Sequence, residues 1–185
     1  MRFLKQHGIA LSIFAVLFST NVLADTLDFT TLPQGSLGTT VLVFPQATIT
    51  SFGTDIYVGA SAIASEICPL TAGFNCQADM QVDFTAAVNS LSFVLAGYDS
   101  GDHVDINIFS GASLLGTIAR ESNGLVDLSA YSNITKLYFD DSSTGAGFSY
   151  DKFQFTVASV PEADTYGMLL AGLGLLGFAT RRKQA

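Results

Sequence analysis

The chain of 185 residues has no tryptophan, two cysteines, two histidines and four prolines, and only eight lysines and arginines. Each scarcity excludes a class of function. The cations sit mainly at the two ends, as Arg2 and Lys5 and then Arg181, Arg182 and Lys183. Between residues 25 and 159 only Arg120, Lys136 and Lys152 oppose fourteen carboxylates, a formal charge of −11. Such a surface repels phosphate backbones and excludes nucleic acid as a partner. One histidine, His103, remains in that interval, and neither a Gly-x-Ser-x-Gly elbow nor a His-Glu-x-x-His zinc motif occurs. No residue is assigned a catalytic role. Cys68 and Cys76 lack the CxxC spacing of a redox pair and have no nearby histidine for zinc.

The ends carry the long apolar runs. At the N-terminus, Arg2 and Lys5 precede an apolar stretch from Ile9 to Phe18, and Val22-Leu23-Ala24 supplies small residues for cleavage. This is the layout of a secretory signal peptide over residues 1–24, cut between Ala24 and Asp25. It implies export machinery and signal peptidase as partners. In an oxidising compartment the two cysteines are expected to pair. Closing the nine-residue loop from Cys68 to Cys76 removes chain entropy worth up to about 2.5 kcal/mol.

Residues 25–159 read as one domain of short strands separated by Gly, Ser, Asn and Asp turns. Strands are expected at Thr26–Thr30, Thr40–Phe44, Ala47–Phe52, Ile56–Val58, Gln81–Thr85, Ser90–Ala96, Val104–Ile108, Leu114–Ala119, Thr135–Phe139 and Tyr150–Ala158. A helical turn is expected at Ala62–Glu66. Apolar residues alternate with polar ones, as in Phe153, Phe155 and Val157 against Lys152, Gln154 and Thr156. A two-residue period means sheets with one buried face each. With fifteen phenylalanines and no long helix signal in this interval, the expected class is all-β, a β-sandwich or jelly roll. A signal-peptide helix and a short C-terminal transmembrane helix would flank it.

The tail, residues 160–185, has three unlike blocks. Val160-Pro161-Glu162 comes first, then an apolar run from Tyr166 to Thr180, then Arg181-Arg182-Lys183. As a helix the run spans roughly 22 Å against a hydrocarbon core of roughly 30 Å. The basic cluster orients it toward the cytoplasm. The tail resembles the PEP-CTERM sorting signal, with Ala163 where that motif carries a second proline. The resemblance implies transient membrane insertion, recognition by an exosortase, and delivery to the cell surface or the extracellular polysaccharide matrix.

The domain resembles, more loosely, galactose-binding-like jelly rolls. The carrying segments are Leu27-Asp28-Phe29, Val88 to Val94, and Tyr150-Asp151-Lys152-Phe153-Gln154-Phe155. That resemblance implies a first strand beside the last, and a calcium site joining Asp28 and Asp151. Hard cations favour carboxylate and carbonyl oxygens of this kind. Tyr98 with Asp99 and Asp102 forms the candidate ligand site, an aromatic face beside carboxylates that suits a sugar. Tyr57, Tyr131, Tyr138 and Tyr150 are further non-core aromatics. Three functions compete: a structural or adhesive surface protein, a carbohydrate-binding module with or without calcium, and a small glycoside hydrolase using paired carboxylates. The first is expected.

Overall fold

The computed structural model describes residues 24–59, 65–158, 167 and 170–173. Within them the chain is all-β: twelve strands hydrogen-bonded into one large, predominantly antiparallel sheet. The strands are β1 (Ala24–Leu27), β2 (Gly35–Ser36), β3 (Val41–Val43), β4 (Ala47–Ser51), β5 (Asp55–Val58) and β6 (Ile67–Leu70). They continue as β7 (Met80–Ala96), β8 (Val104–Ser110), β9 (Ser113–Arg120), β10 (Gly124–Asp127), β11 (Ile134–Asp141) and β12 (Ser149–Val157). The main path runs β2-β5-β6-β12-β7-β11-β8-β9.

Strand β7 organises the whole. The expected strands Gln81–Thr85 and Ser90–Ala96 are one strand of 17 residues, whose two halves have different neighbours. Residues 80–84 lie between β4, with Ala47 opposite Phe84, and β11, with Leu137 opposite Val82. Further along, Val88 to Ala96 pair with β12, and Ser92 to Leu95 also pair with β10. Ser90, at the join, has a φ of 50°. That left-handed residue breaks the two-residue alternation, which is why the sequence pattern shows two strands.

The core is aromatic. Phe93 of β7 stacks on Phe153 of β12 at 4.9 Å and meets Phe139 of β11 edge-on at 5.5 Å. Phe139 also meets Tyr150 at 4.6 Å. Each such pair adds roughly 0.5–1.5 kcal/mol beyond area burial. Tyr150 is fully buried, so it is a core residue and not the surface aromatic expected.

β1 pairs antiparallel with β12, setting Leu27 opposite Phe153, so the first and last strands lie side by side as the jelly-roll resemblance implies. β1 begins at Ala24, opposite Thr156; a cut after Ala24 leaves Asp25 to Leu27 paired. β2, β6 and β10 go beyond the sequence reading. β2 and β10 are too short to show alternation. β6 is buried at all four positions, so it has no polar face to alternate.

Residues 1–23 lie outside the described structure, as do residues 62–64 of the expected helical turn. The same holds for Val160, Pro161, Glu162, Arg181, Arg182 and Lys183. In the tail, residues 167 and 170–173 are helical. Among the described residues no helix is long and apolar enough to cross a membrane.

Candidate functional site

Three loops are stitched together by backbone contacts. They are the disulfide loop after β6, the loop after β7 (97–103), and the loop between β11 and β12 (142–148). Ser142 N–H donates to His103 O at 3.0 Å, and Thr144 N–H to Gly101 O at 2.9 Å. Cys76 N–H donates to Ala146 O at 2.8 Å. Gln77 Nε2 bridges Ser143 O at 2.9 Å and Gly145 O at 2.7 Å. Glycine is required where the strands of this knot touch. A Cβ on Gly147, which has a φ of 81°, would stand 2.2 Å from Cys76 O.

Asp102 holds two of these loops from inside. It is buried, and its carboxylate accepts Asp99 N–H at 2.7 Å and Gly147 N–H at 3.0 Å. Asp99 is exposed, and Tyr98 stacks on buried Phe148 at 6.1 Å while keeping 37% of its surface in solvent. The structure therefore gathers Tyr98, Asp99 and Asp102 in one turn. Only Tyr98 and Asp99 face outward; Asp102 turns inward and is committed to backbone.

Beneath this knot is a second acidic group. Tyr138 Oη donates to Asp79 Oδ2 at 2.6 Å, which together with burial pushes the phenol pKa up to about 12. Asp79 Oδ1 accepts Asp141 N–H at 3.0 Å. Burial raises the Asp141 carboxyl above its ordinary value, against the lowering effect of the Ser143 N–H. Asp141 Oδ2 and the Tyr150 hydroxyl are both buried without a hydrogen-bond partner.

His103 lies between two carboxylates. Nδ1 is 2.9 Å from Glu121 and Nε2 is 3.4 Å from Asp105. The Glu121 bond, opposed by desolvation and helped by Asp105, raises the imidazole pKa above 6.5.

Asp28 and Asp151, the expected calcium pair, have different surroundings. Asp28 is exposed and accepts Thr30 N–H at 2.9 Å, and that bond lowers its pKa. Asp151 is buried and accepts from Ser65 Oγ at 3.1 Å, with Oδ1 unpartnered. Near it, buried Glu66 accepts from Ser149 Oγ at 2.9 Å. Among the described residues no group of three or more His, Cys, Asp or Glu side chains could hold a metal ion.

The disulfide between Cys68 and Cys76 is formed, with Cα atoms 5.1 Å apart. It closes a loop that lifts Phe74 into solvent. Beside it is a depression of about 300 Å³ lined by Tyr57, Leu70, Phe74, Asn75, Cys76 and Ala146. Phe74 and Asn75 are absent from the sequence-based site. The available signal was a phenylalanine at the tip of a Gly- and Asn-containing loop, where no strand face could bury it.

The tail settles a different question. Residues 159–183 match the PEP-CTERM protein-sorting motif. The chain carries a PEP-CTERM sorting signal. The match spans the Val160-Pro161-Glu162 block, the apolar run and the Arg181-Arg182-Lys183 cluster, so the resemblance noted in the sequence holds over all three. A PEP-CTERM motif implies an exported protein, sorted at the membrane by an exosortase. No curated protein matches the chain.

Proposed function

We propose that this PEP-CTERM protein is a non-catalytic structural or adhesive component of the cell surface or extracellular polysaccharide matrix. The PEP-CTERM motif at residues 159–183 carries the reading. A strongly acidic, disulfide-closed β domain upstream of it suits a position outside the cell. In this reading residues 1–24 are the signal peptide, and the sorting signal is inserted in the membrane only until the exosortase acts. We read the domain as a sandwich or jelly roll, a reading supported by β7, whose first half pairs with β4 and β11 and whose second half pairs with β12 and β10.

Two arrangements support a role without catalysis. Both ring nitrogens of His103 contact carboxylates, Glu121 and Asp105, while the nearby Ser143 hydroxyl bonds the His103 backbone and not its ring. Asp102 is occupied by backbone N–H groups of the loops it joins. Glycoside hydrolysis needs two carboxyls free to face one bond. A second reading, a carbohydrate-binding module, is favoured by the Tyr57 and Phe74 depression.

Deleting Arg181 to Lys183 tests the reading. The variant should keep a folded domain, by circular dichroism, yet fail to reach the surface fraction. Normal surface delivery of the deletion would overturn exosortase-dependent sorting.

A further inference from the structure

We infer that the depression beside the disulfide loop is a binding site for an uncharged polysaccharide, with Phe74 and Tyr57 as the surfaces on which sugar rings stack. Phe74 is 84% exposed, more than any other large apolar side chain among the described residues. Burying a phenylalanine side chain contributes substantially to folding. Here that contribution is forgone. Phe74 also has a φ of 61°, a left-handed conformation that is unfavourable for a bulky residue. The loop enforces it: Phe74 N–H donates to Thr71 O at 3.0 Å, Thr71 N–H to Asn75 O at 2.9 Å, and the Cys68–Cys76 bond closes the base. The fold loses on burial and on backbone conformation at the same residue. A ring held out this way is explained by a ligand that covers it.

The lining defines the ligand. Tyr57 and Phe74 offer aromatic surface, and the exposed Asn75 amide offers a donor and an acceptor at the rim. Sugar rings present apolar C–H faces edged by hydroxyls, which match that combination. No lining residue is charged, and the domain around it carries a formal −11, so a polyanion is repelled. At about 300 Å³ the depression is at the small end of ligand sites. It fits a short stretch of a longer chain. A protein partner would need roughly 1,000 Å² of complementary surface, whereas the neighbours of Phe74 in its loop are Gly73, Ala72 and Asn75. This inference deepens the surface-matrix role and rests on it for the source of the ligand.

Affinity electrophoresis of the processed, purified protein tests the site, using soluble neutral glucan, mannan and galactan, with alginate as the polyanion. At least one neutral polymer should retard the protein and alginate should not. Phe74→Ala should weaken that retardation tenfold or more with an unchanged melting temperature. Phe52→Ala, which removes another exposed aromatic, should leave it intact. No retardation by any neutral polymer, equal retardation by alginate, or full retention of binding by Phe74→Ala would overturn the inference. Phe74-dependent self-association without polymer binding would also overturn it, in favour of contact between copies. Phe74→Ala should still reach the surface fraction; mislocalisation of the wild-type chain would count against the sorting role and leave the binding result standing.

Discussion

The buried carboxylate of Asp102 accepts the backbone N–H of Gly147, 45 residues along the chain, at 3.0 Å. The same carboxylate accepts Asp99 N–H. One side chain thus ties the loop after β7 to the loop before β12. Asp102→Ala orphans the buried Gly147 N–H, which costs about 1–3 kcal/mol when left unpaired, and releases the part-buried Asp99 N–H. Urea denaturation should show a loss in that range or above, with an unchanged slope. A loss below about 0.5 kcal/mol would mean that the loops are held by their other contacts.

The strand pattern was legible in the sequence because alternation reports burial directly. β4 and β8 alternate as the residues place them, and in β12 Phe153 and Phe155 are buried against exposed Lys152 and Gln154 while Val157, expected on the same face, is exposed. The continuity of β7 was hidden by Ser90, whose left-handed backbone reverses the alternation partway. β6 was hidden for the opposite reason, since burial on both faces leaves no period to read. For the site, sequence could group Tyr98, Asp99 and Asp102 by proximity. It could not show that Asp102 turns inward, because its partner Gly147 is distant in sequence. Phe74 was visible only as a misplaced apolar residue, and its meaning depends on Tyr57 and Ala146 arriving beside it from elsewhere in the chain.

His103 should titrate above 6.5, chiefly because Glu121 bonds its Nδ1. The folded state then holds the proton more tightly than the unfolded chain. The resulting stability is fully present below about 6.5, and is lost as pH rises through the higher folded value. Glu121→Gln should bring the imidazole pKa down toward 6.5 by NMR titration. An unchanged pKa in that variant would assign the shift to Asp105.

Asp141 should behave in the opposite sense to a salt-bridged acid. Its carboxyl is raised by burial, so ionising it costs the folded state stability. Stability should fall as pH climbs from about 3.8 through the raised folded value. Asp141→Asn keeps an acceptor for Ser143 N–H and removes the charge from a carboxylate whose Oδ2 is buried without a partner. At neutral pH the variant should be as stable as wild type or more so, by up to about 1 kcal/mol. A loss above 1 kcal/mol would show that the charge itself is used.

Reducing the Cys68–Cys76 bond should lower stability by up to about 2.5 kcal/mol, measured by denaturation with and without dithiothreitol. β5 and β6 should remain paired, since their register from Asp55 and Leu70 to Val58 and Ile67 rests on backbone bonds. Global unfolding on reduction would contradict this.

In the proposed role, the PEP-CTERM signal routes this chain outward and is then removed. Mass spectrometry of the protein recovered from surface material tests it most directly. The expected species is a chain that starts at Asp25, ends near Pro161 and carries one intact disulfide. Recovery of mature surface protein still bearing Arg181-Arg182-Lys183 would contradict it.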